Sequence, residues 1–135
     1  MNVWTIVMSQ RLEDADNTRS MLISRFLMER GHSVTMWTSA FDHIRKCWRH
    51  AGRESYRDPS GLHVRFMFGG GYARNISPQR YIDHLRAAKD FRRRARGLPK
   101  PDLILANIPD HFTAYSAWRY AQEHRIPFVV DVRDK

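Results

Sequence analysis

Five short apolar segments, separated by polar ones, have the composition of buried β-strands. Most are rich in β-branched or aromatic side chains, which favour strands over helices in runs of this length. Five strands are therefore predicted: NVWTIVM at residues 2–8, SVTMWT at 33–38, LHVRFMF at 62–68, DLILA at 102–106 and FVVDV at 128–132.

Three amphipathic helices are predicted between these strands. The first begins at Thr18 and ends before Gly31, which sits where a left-handed cap belongs. The second begins at Ser77 and Pro78, because serine can cap a free amide and proline suits the first helical position. The apolar residues expected to face the sheet are Leu22, Ile23, Phe26 and Leu27 in the first helix, Tyr81, Ile82, Leu85, Ala88, Phe91 and Ala95 in the second, and Ala114, Ala117, Trp118 and Ala121 in the third.

The order of these elements predicts an α/β domain with a parallel sheet. A strand, a helix and a strand follow one another within residues 2–38, and such a unit requires a right-handed crossover. We expect a Rossmann-like, doubly wound parallel sheet in one domain that spans residues 1–135. A strand such as 128–132 is normally covered by later elements, so we expect the chain to be a longer protein truncated after its fifth strand.

Charge and cysteine content narrow the function classes. The single cysteine, Cys47, cannot form an internal disulfide, and the chain has neither a basic leader nor a long apolar span, which favours the cytoplasm. The net charge of +9 favours a polyanionic partner, which is a nucleic acid, an anionic membrane surface or a phosphate-bearing substrate.

Familiar catalytic motifs are absent from the sequence. The loop after the first strand has no GxGxxG and no P-loop, which argues against dinucleotide binding and nucleotide hydrolysis. GGGY at residues 69–72 could cradle a phosphate or simply form a turn. His43, Cys47 and His50 would share a face on a helix and could then bind zinc, but packed or solvent-facing side chains are the simpler interpretation, and we predict no metal site.

Polar residues follow the predicted strands at the edge where α/β sheets bind ligands. Their hydroxyl, amide, carboxylate and basic groups suit a sugar or a phosphosugar. A structural role stays open for some of them, since Asp110 could cap the third helix and Asp42 could order its loop. The set comprises Ser9, Gln10, Asn17, Thr18, Ser39, Asp42, His43, Tyr72, Asn107, Asp110, Arg133 and Asp134.

Four segments of the chain carry a resemblance to a known family. They are RGHSVTMWTSAFDHIRK at 30–46, GGYARNISPQRYIDH at 70–84, LPKPDLILANIPD at 98–110 and IPFVVDVRDK at 126–135. Together they resemble the N-terminal half of bacterial family 4 glycosyltransferases, and in particular the cell-surface polysaccharide enzymes akin to L-fucosamine transferases.

The resemblance implies the acceptor-side domain of a GT-B glycosyltransferase. A C-terminal domain, absent here, would hold the nucleotide-sugar donor with an E-x7-E element, so this piece alone is expected to be inactive, and no metal cofactor is expected. Arg133 and Asp134 are the candidate catalytic residues, at a place where relatives often carry a histidine. The candidate substrate-binding residues are Asn17, Thr18, Asp42, His43, Tyr72, Asn107 and Asp110.

The resemblance also implies a place and partners for the protein. The acceptor would be an oligosaccharide or a lipid-linked glycan at the inner membrane face, where basic segments attract anionic lipid. FRRRAR at 91–96 and RKCWRH at 45–50, with Trp48, are the candidate membrane contacts. The alternative is a non-catalytic basic α/β module that binds nucleic acid, but no RRM, KH or helix-turn-helix pattern supports it, so no nucleic-acid partner is expected.

Overall fold

The computed structural model has a mixed α/β fold and describes residues 1–12, 18–108 and 110–133. The helices are α1 (Arg19–Glu29), α2 (Pro78–Ala95) and α3 (His111–His124). The strands are β1 (Asn2–Ile6), β2 (Ser33–Ser39), β3 (Phe41–Asp42), β4 (Cys47–Trp48), β5 (Ser55–Arg57), β6 (His63–Met67), β7 (Leu103–Ile108) and β8 (Phe128–Val132).

A mostly parallel sheet of six strands forms the centre of the fold. Its order is β5-β6-β2-β1-β7-β8, and every neighbouring pair is parallel except β5 with β6. The five parallel strands are the five that the sequence predicts, so the parallel arrangement is confirmed. The antiparallel strand β5 and the small β3-β4 hairpin lie in the basic segment 39–61, and the sequence analysis missed them because each strand has only two or three residues.

Each helix begins at a side chain that caps its first turn. The side chain of Thr18 accepts a hydrogen bond from Met21 N, and that of Ser77 accepts one from Arg80 N. Asp110 caps α3 by accepting from Thr113 N at 3.2 Å, as one sequence interpretation proposed. Gly31 has a φ of +86°, which confirms the left-handed residue after α1.

Apolar clusters lie on both faces of the sheet. Beneath α2 and α3, four aromatic rings pack together: the Trp37 and Phe91 ring centroids are 4.9 Å apart, and Trp4 stacks on Tyr120 at 5.6 Å. Met21 of α1 belongs to the opposite cluster, with Met36 and Phe66 among its members. Helices thus lie on both faces of the central strands.

The predicted apolar stripe of α2 is wrong over its first turns. Tyr81, Ile82 and Leu85 are 64%, 45% and 49% exposed, whereas Asp83 and His84 are buried. Farther along, Ala88, Phe91 and Ala95 are buried as predicted. The helix therefore presents polar groups inward and apolar groups outward where it passes the carboxyl ends of the strands.

The predicted apolar stripes of α1 and α3 are also wrong in part. In α1, Leu22 and Phe26 are exposed, and the side facing the sheet carries Ser20 and Ser24. The Ser24 hydroxyl donates to the Ser20 carbonyl at 2.8 Å, so this small polar side chain is satisfied within the helix. In α3, the alanines are buried as predicted but Trp118 is 41% exposed.

The outer surface of the fold has two further relevant features. Among the described residues, no helix combines the length and hydropathy needed to cross a bilayer. Strand β8 forms one edge of the sheet, and its Val129, Val130 and Val132 are exposed.

Candidate functional site

A cleft of about 510 Å³ opens at the carboxyl ends of β1 and β7, beside the first turns of α2 and α3. Topology explains its position, because parallel strands end at one edge and the helices that follow β6 and β7 begin there. Its lining combines three polar side chains, three imidazoles, two guanidinium groups, one carboxylate and several apolar side chains. They are Ser9, Asn75 and Asn107, then His43, His84 and His111, then Arg80, Arg133 and Asp110, and finally Val7, Met8, Ile76, Tyr81, Ile108 and Phe112.

The cleft brings together four of the nine predicted site residues. His43, Asn107, Asp110 and Arg133 line it, from three different segments of the chain. Asp42 lies with His43 beside a second, smaller pocket of about 60 Å³. Thr18 and Tyr72 line neither pocket, and Asn17 and Asp134 lie outside the described residues.

A buried carboxylate and an imidazole pair at the wall of the cleft. His84 Nδ1 lies 2.9 Å from Asp110 Oδ1, while Asp110 Oδ2 accepts hydrogen bonds from the Thr113 amide and hydroxyl. Burial would raise the pKa of Asp110, but the hydrogen bonds from His84 and Thr113 outweigh it and hold the pKa below its ordinary value. Asp110 is therefore anionic at neutral pH, and both its oxygens already have partners within the chain.

His43 stands between the two pockets and lines both. Burial lowers its pKa, and the nearby charges of Lys46 and Arg80 lower it further. Its imidazole is consequently neutral at pH 7 and can accept a hydrogen bond from a hydroxyl group.

Asp42 and Tyr72 belong to the structure around His43. The Asp42 carboxylate accepts from Ile44 N at 2.9 Å and Arg45 N at 3.0 Å, so it orders the hairpin turn. Tyr72 is buried, with its ring centroid 5.0 Å from that of Phe41, and burial raises its pKa. Tyr72 therefore packs beneath the β3-β4 hairpin. A binding role for Asp42 or Tyr72 stays a prediction.

Asn107 and Thr18 tie neighbouring strand ends to α1. Asn107 Nδ2 donates to Ser20 Oγ at 2.9 Å, and Gln10 Nε2 donates to Thr18 Oγ1 at 2.9 Å. Asn107 also lines the cleft, so its carboxamide oxygen is the group it can offer to a ligand.

The glycine run after β6 already holds a carboxyl group from its own chain. The Gly71 amide donates to Asp83 Oδ1 at 2.8 Å, and a Cβ built on Gly69 would lie only 2.3 Å from the same oxygen. The Asp83 carboxylate thus occupies the position where a bound phosphate would have to sit. Burial raises the pKa of Asp83, because the hydrogen bond from Gly71 only partly compensates for the lost water.

The sequence analysis missed the cleft residues that come from helix starts. Arg80 and His84 lie in the first two turns of α2, and His111 opens α3. The available signal was positional: a helix that follows a parallel strand starts at the same edge of the sheet as the strand's carboxyl end.

The hairpin around Cys47 does not form the metal site that a helix would allow. Residues 43–46 are a turn between β3 and β4, so His43, Cys47 and His50 do not share a helical face. Among the described residues, no group of three or more His, Cys, Asp or Glu side chains is placed to hold a metal ion.

Comparison with known proteins leaves the family open. No protein-family model matches the chain, and no curated protein matches it at a significant level. The resemblance to family 4 glycosyltransferases therefore stays a prediction, and the cleft is the feature on which a functional assignment can be built.

Proposed function

We propose that the chain is the acceptor-side, Rossmann-like domain of a GT-B glycosyltransferase that adds a sugar to a glycan acceptor in cell-surface polysaccharide synthesis. In this proposal, a nucleotide-sugar donor is held by a second α/β domain outside these 135 residues, and no metal ion is required. The observation that carries the proposal is the mixed polar, cationic and aromatic lining of the cleft at the carboxyl ends of the parallel strands.

The lining fits a sugar attached to a phosphate or diphosphate. Arg80 and Arg133 provide guanidinium groups, which pair well with phosphate oxygens. Tyr81 and Phe112, whose ring centroids are 6.3 Å apart, provide flat apolar faces beside the amide group of Asn107. A lipid-linked sugar diphosphate presents the matching groups, namely anionic oxygens, hydroxyls and the apolar face of a sugar ring.

The domain would contribute mainly by positioning the acceptor. In the transfer, an acceptor hydroxyl oxygen bonds to the anomeric carbon of the donor sugar, and the bond to the leaving nucleoside diphosphate breaks with its electron pair. The neutral imidazole of His43 can accept a hydrogen bond from that hydroxyl. The chain by itself is expected to bind an acceptor and to transfer no sugar.

Titration with a water-soluble, short-chain prenyl diphosphate sugar tests this function. We expect saturable binding by calorimetry, with amide shifts in NMR spectra confined to the cleft segments. Arg80→Gln should weaken the binding about tenfold or more, since it removes a charge-assisted hydrogen bond. Arg96→Gln, at the opposite end of α2, is the matched control and should leave the affinity unchanged.

The same measurement distinguishes the nucleic-acid alternative. Equal weakening by Arg80→Gln and Arg96→Gln would show that net charge, rather than the cleft, attracts the ligand. If the chain also bound DNA or RNA with a steep dependence on salt concentration, the reading as a basic module would replace the glycosyltransferase proposal.

A further inference from the structure

The outer side of the α2–α3 pair carries a group of exposed apolar side chains. We call Ile76, Tyr81, Ile82, Leu85, Tyr115 and Trp118 the apolar patch; their exposed fractions range from 41% to 95%. Tyr81, Ile82 and Leu85 share one face of α2 by their spacing, and Tyr115 and Trp118 share one face of α3, with ring centroids 5.7 Å apart. Clustered exposed aromatic and aliphatic groups mark an interaction surface more often than scattered ones do.

Side-by-side packing of the two helices places these faces next to each other. The Tyr81 and Phe112 rings meet near the start of both helices, and Arg92 pairs with Glu123 at 2.6 Å near their ends. Since both contacts join residues 31 positions apart, α2 and α3 run parallel in a fixed register. The pair therefore presents one broad, elongated surface.

The charges on this surface are predominantly positive. Lys89 and Arg93 continue the exposed face of α2 beyond Leu85, and Arg119 is exposed beside Tyr115 on α3. Of the two carboxylates of α2, Asp83 is buried, whereas Asp90 pairs with Arg93 at 3.0 Å and offsets its charge, so Lys89 and Arg119 carry the remaining positive charge of this surface. The surface thus combines an apolar region near the cleft with a cationic region farther along.

Two arginines of the basic stretch 91–96, Arg92 and Arg94, are less suited to contact lipid than this surface. Arg92 pairs with Glu123, and Arg94 pairs with Asp90 and also donates to the Phe66 carbonyl. These guanidinium groups serve the packing of α2 on its neighbours. The sequence could not reveal the Arg92–Glu123 pair, because Glu123 lies on α3, although the i,i+4 spacing of Asp90 and Arg94 was visible.

We propose that the outer side of the α2–α3 pair docks on an anionic lipid bilayer, with the apolar patch at the boundary between headgroups and acyl chains. Interfacial helices combine an apolar face with Lys and Arg, and Trp and Tyr prefer this depth. Charge complementarity selects an anionic bilayer, since Lys89 and Arg119 would lie against lipid phosphates.

Two residues connect the patch to the cleft. Ile76 and Tyr81 belong to the patch and also line the cleft. A lipid-linked acceptor could therefore keep its chain in the bilayer while its diphosphate and sugar reach Arg80. This step deepens the proposed function and rests on it, whereas the docking itself needs only the surface.

Vesicle sedimentation with the full chain tests the docking. We expect binding to vesicles of phosphatidylethanolamine with phosphatidylglycerol, and little binding to pure phosphatidylcholine. The double variant Ile82→Gln/Leu85→Gln should reduce partitioning about tenfold or more, because two exposed aliphatic groups no longer insert. The matched control Leu22→Gln/Phe26→Gln changes two equally exposed residues on α1 and should leave partitioning unchanged.

Each other outcome would overturn the docking proposal. Partitioning that survives the α2 double variant, or that falls equally in the α1 variant, would show that the patch is not the contact. A concentration-dependent dimer that the α2 variant abolishes, together with no vesicle binding, would assign the surface to a second copy of the chain. Arg80→Gln, which tests the cleft, should leave vesicle binding intact, so failure of the docking and failure of the proposed function give different results.

Discussion

The two halves of α2 bury opposite kinds of side chain. Over residues 87–95 the helix buries Ala87, Ala88, Phe91 and Ala95, as an amphipathic helix on a sheet should. Over residues 78–86 it buries Asp83 and His84 and leaves Tyr81, Ile82 and Leu85 in contact with solvent. One helix thus changes from a packing element to a polar one along its length.

The change occurs where the sheet ends. Beneath the second half lie the rings of Trp37 and Trp4, which only apolar groups can cover well. Beneath the first half lie the glycine run, whose Gly71 amide needs an acceptor, and the cleft with Asp110. The apolar stripe of α2 is interrupted at the carboxyl ends of the strands. Such departures from the expected pattern are common at functional sites.

The largest effect that this comparison predicts is the loss of Phe91. Its ring centroid lies 4.9 Å from that of Trp37 and 6.2 Å from those of Trp4 and Tyr120, and the side chain is fully buried. Phe91→Ala should lower the free energy of unfolding by about 3–5 kcal/mol, measured by urea denaturation. A loss below about 1 kcal/mol would mean that the second half of α2 does not pack as described.

The features predicted correctly from sequence are those that neighbouring residues decide. The five parallel strands, the start of the first helix at Thr18, the cap Ser77 and the left-handed Gly31 each follow from local composition. Burial of Asp83 could not be predicted, because it depends on Gly69, which lacks a Cβ and lies on a distant turn. Burial of Ser20 on the sheet side of α1 escaped prediction for a similar reason, since its hydroxyl accepts a hydrogen bond from Asn107 of β7.

The candidate site could be predicted only in part. His43, Asn107, Asp110 and Arg133 were found because topology fixes where strands end. His84 could not be singled out, since its partner Asp110 is 26 residues away and the pair exists only through the packing of α2 on α3. Tertiary packing, which a linear pattern does not encode, decides this half of the site.

Loss of Asp110 should give the second largest effect. Asp110→Ala removes the cap of α3 and the partner of His84, and we expect a loss of about 2–3 kcal/mol at pH 7. Because the fold lowers the pKa of Asp110, its stabilisation is present above the unfolded value of 3.8 and is lost as pH falls through the folded pKa. The difference between wild type and variant should therefore shrink below pH 4, when both are followed by thermal unfolding.

Asn at the same position is the control for this result. Asp110→Asn keeps a good cap but removes the charge, so its loss should be clearly smaller. If the two variants were equally destabilised at pH 7, the negative charge rather than the cap would account for the whole effect.

The contribution of Asp83 to stability should depend on pH in the opposite direction to that of Asp110. Burial raises its pKa, so ionisation costs stability, and the full stability is present below the unfolded value of 3.8 and lost as pH rises through the folded pKa. Asp83→Asn keeps an oxygen for the Gly71 amide and removes the buried charge, so we expect a gain of about 0.5–1 kcal/mol at pH 7. The gain should shrink as pH falls through the folded pKa of Asp83 and disappear below the unfolded value of 3.8. A destabilised variant at pH 7 would show that the ionised carboxylate is stabilised by its neighbours instead.

The smallest effect on stability is expected at Leu85, on the outward side of the first half of α2. Leu85→Gln leaves helix propensity nearly unchanged and removes a side chain that is 49% exposed, so the free energy of unfolding should change by no more than about 0.5 kcal/mol. Ala88, three residues later on the buried side, is the matched position: Ala88→Gln forces a long polar side chain into the packed interface and should cost at least about 2 kcal/mol. Urea denaturation of the two variants compares the outward side of α2 with its buried side directly. A cost at Leu85 as large as that at Ala88 would mean that the apolar patch is part of the core, and the contrast between the two halves of α2 would not hold.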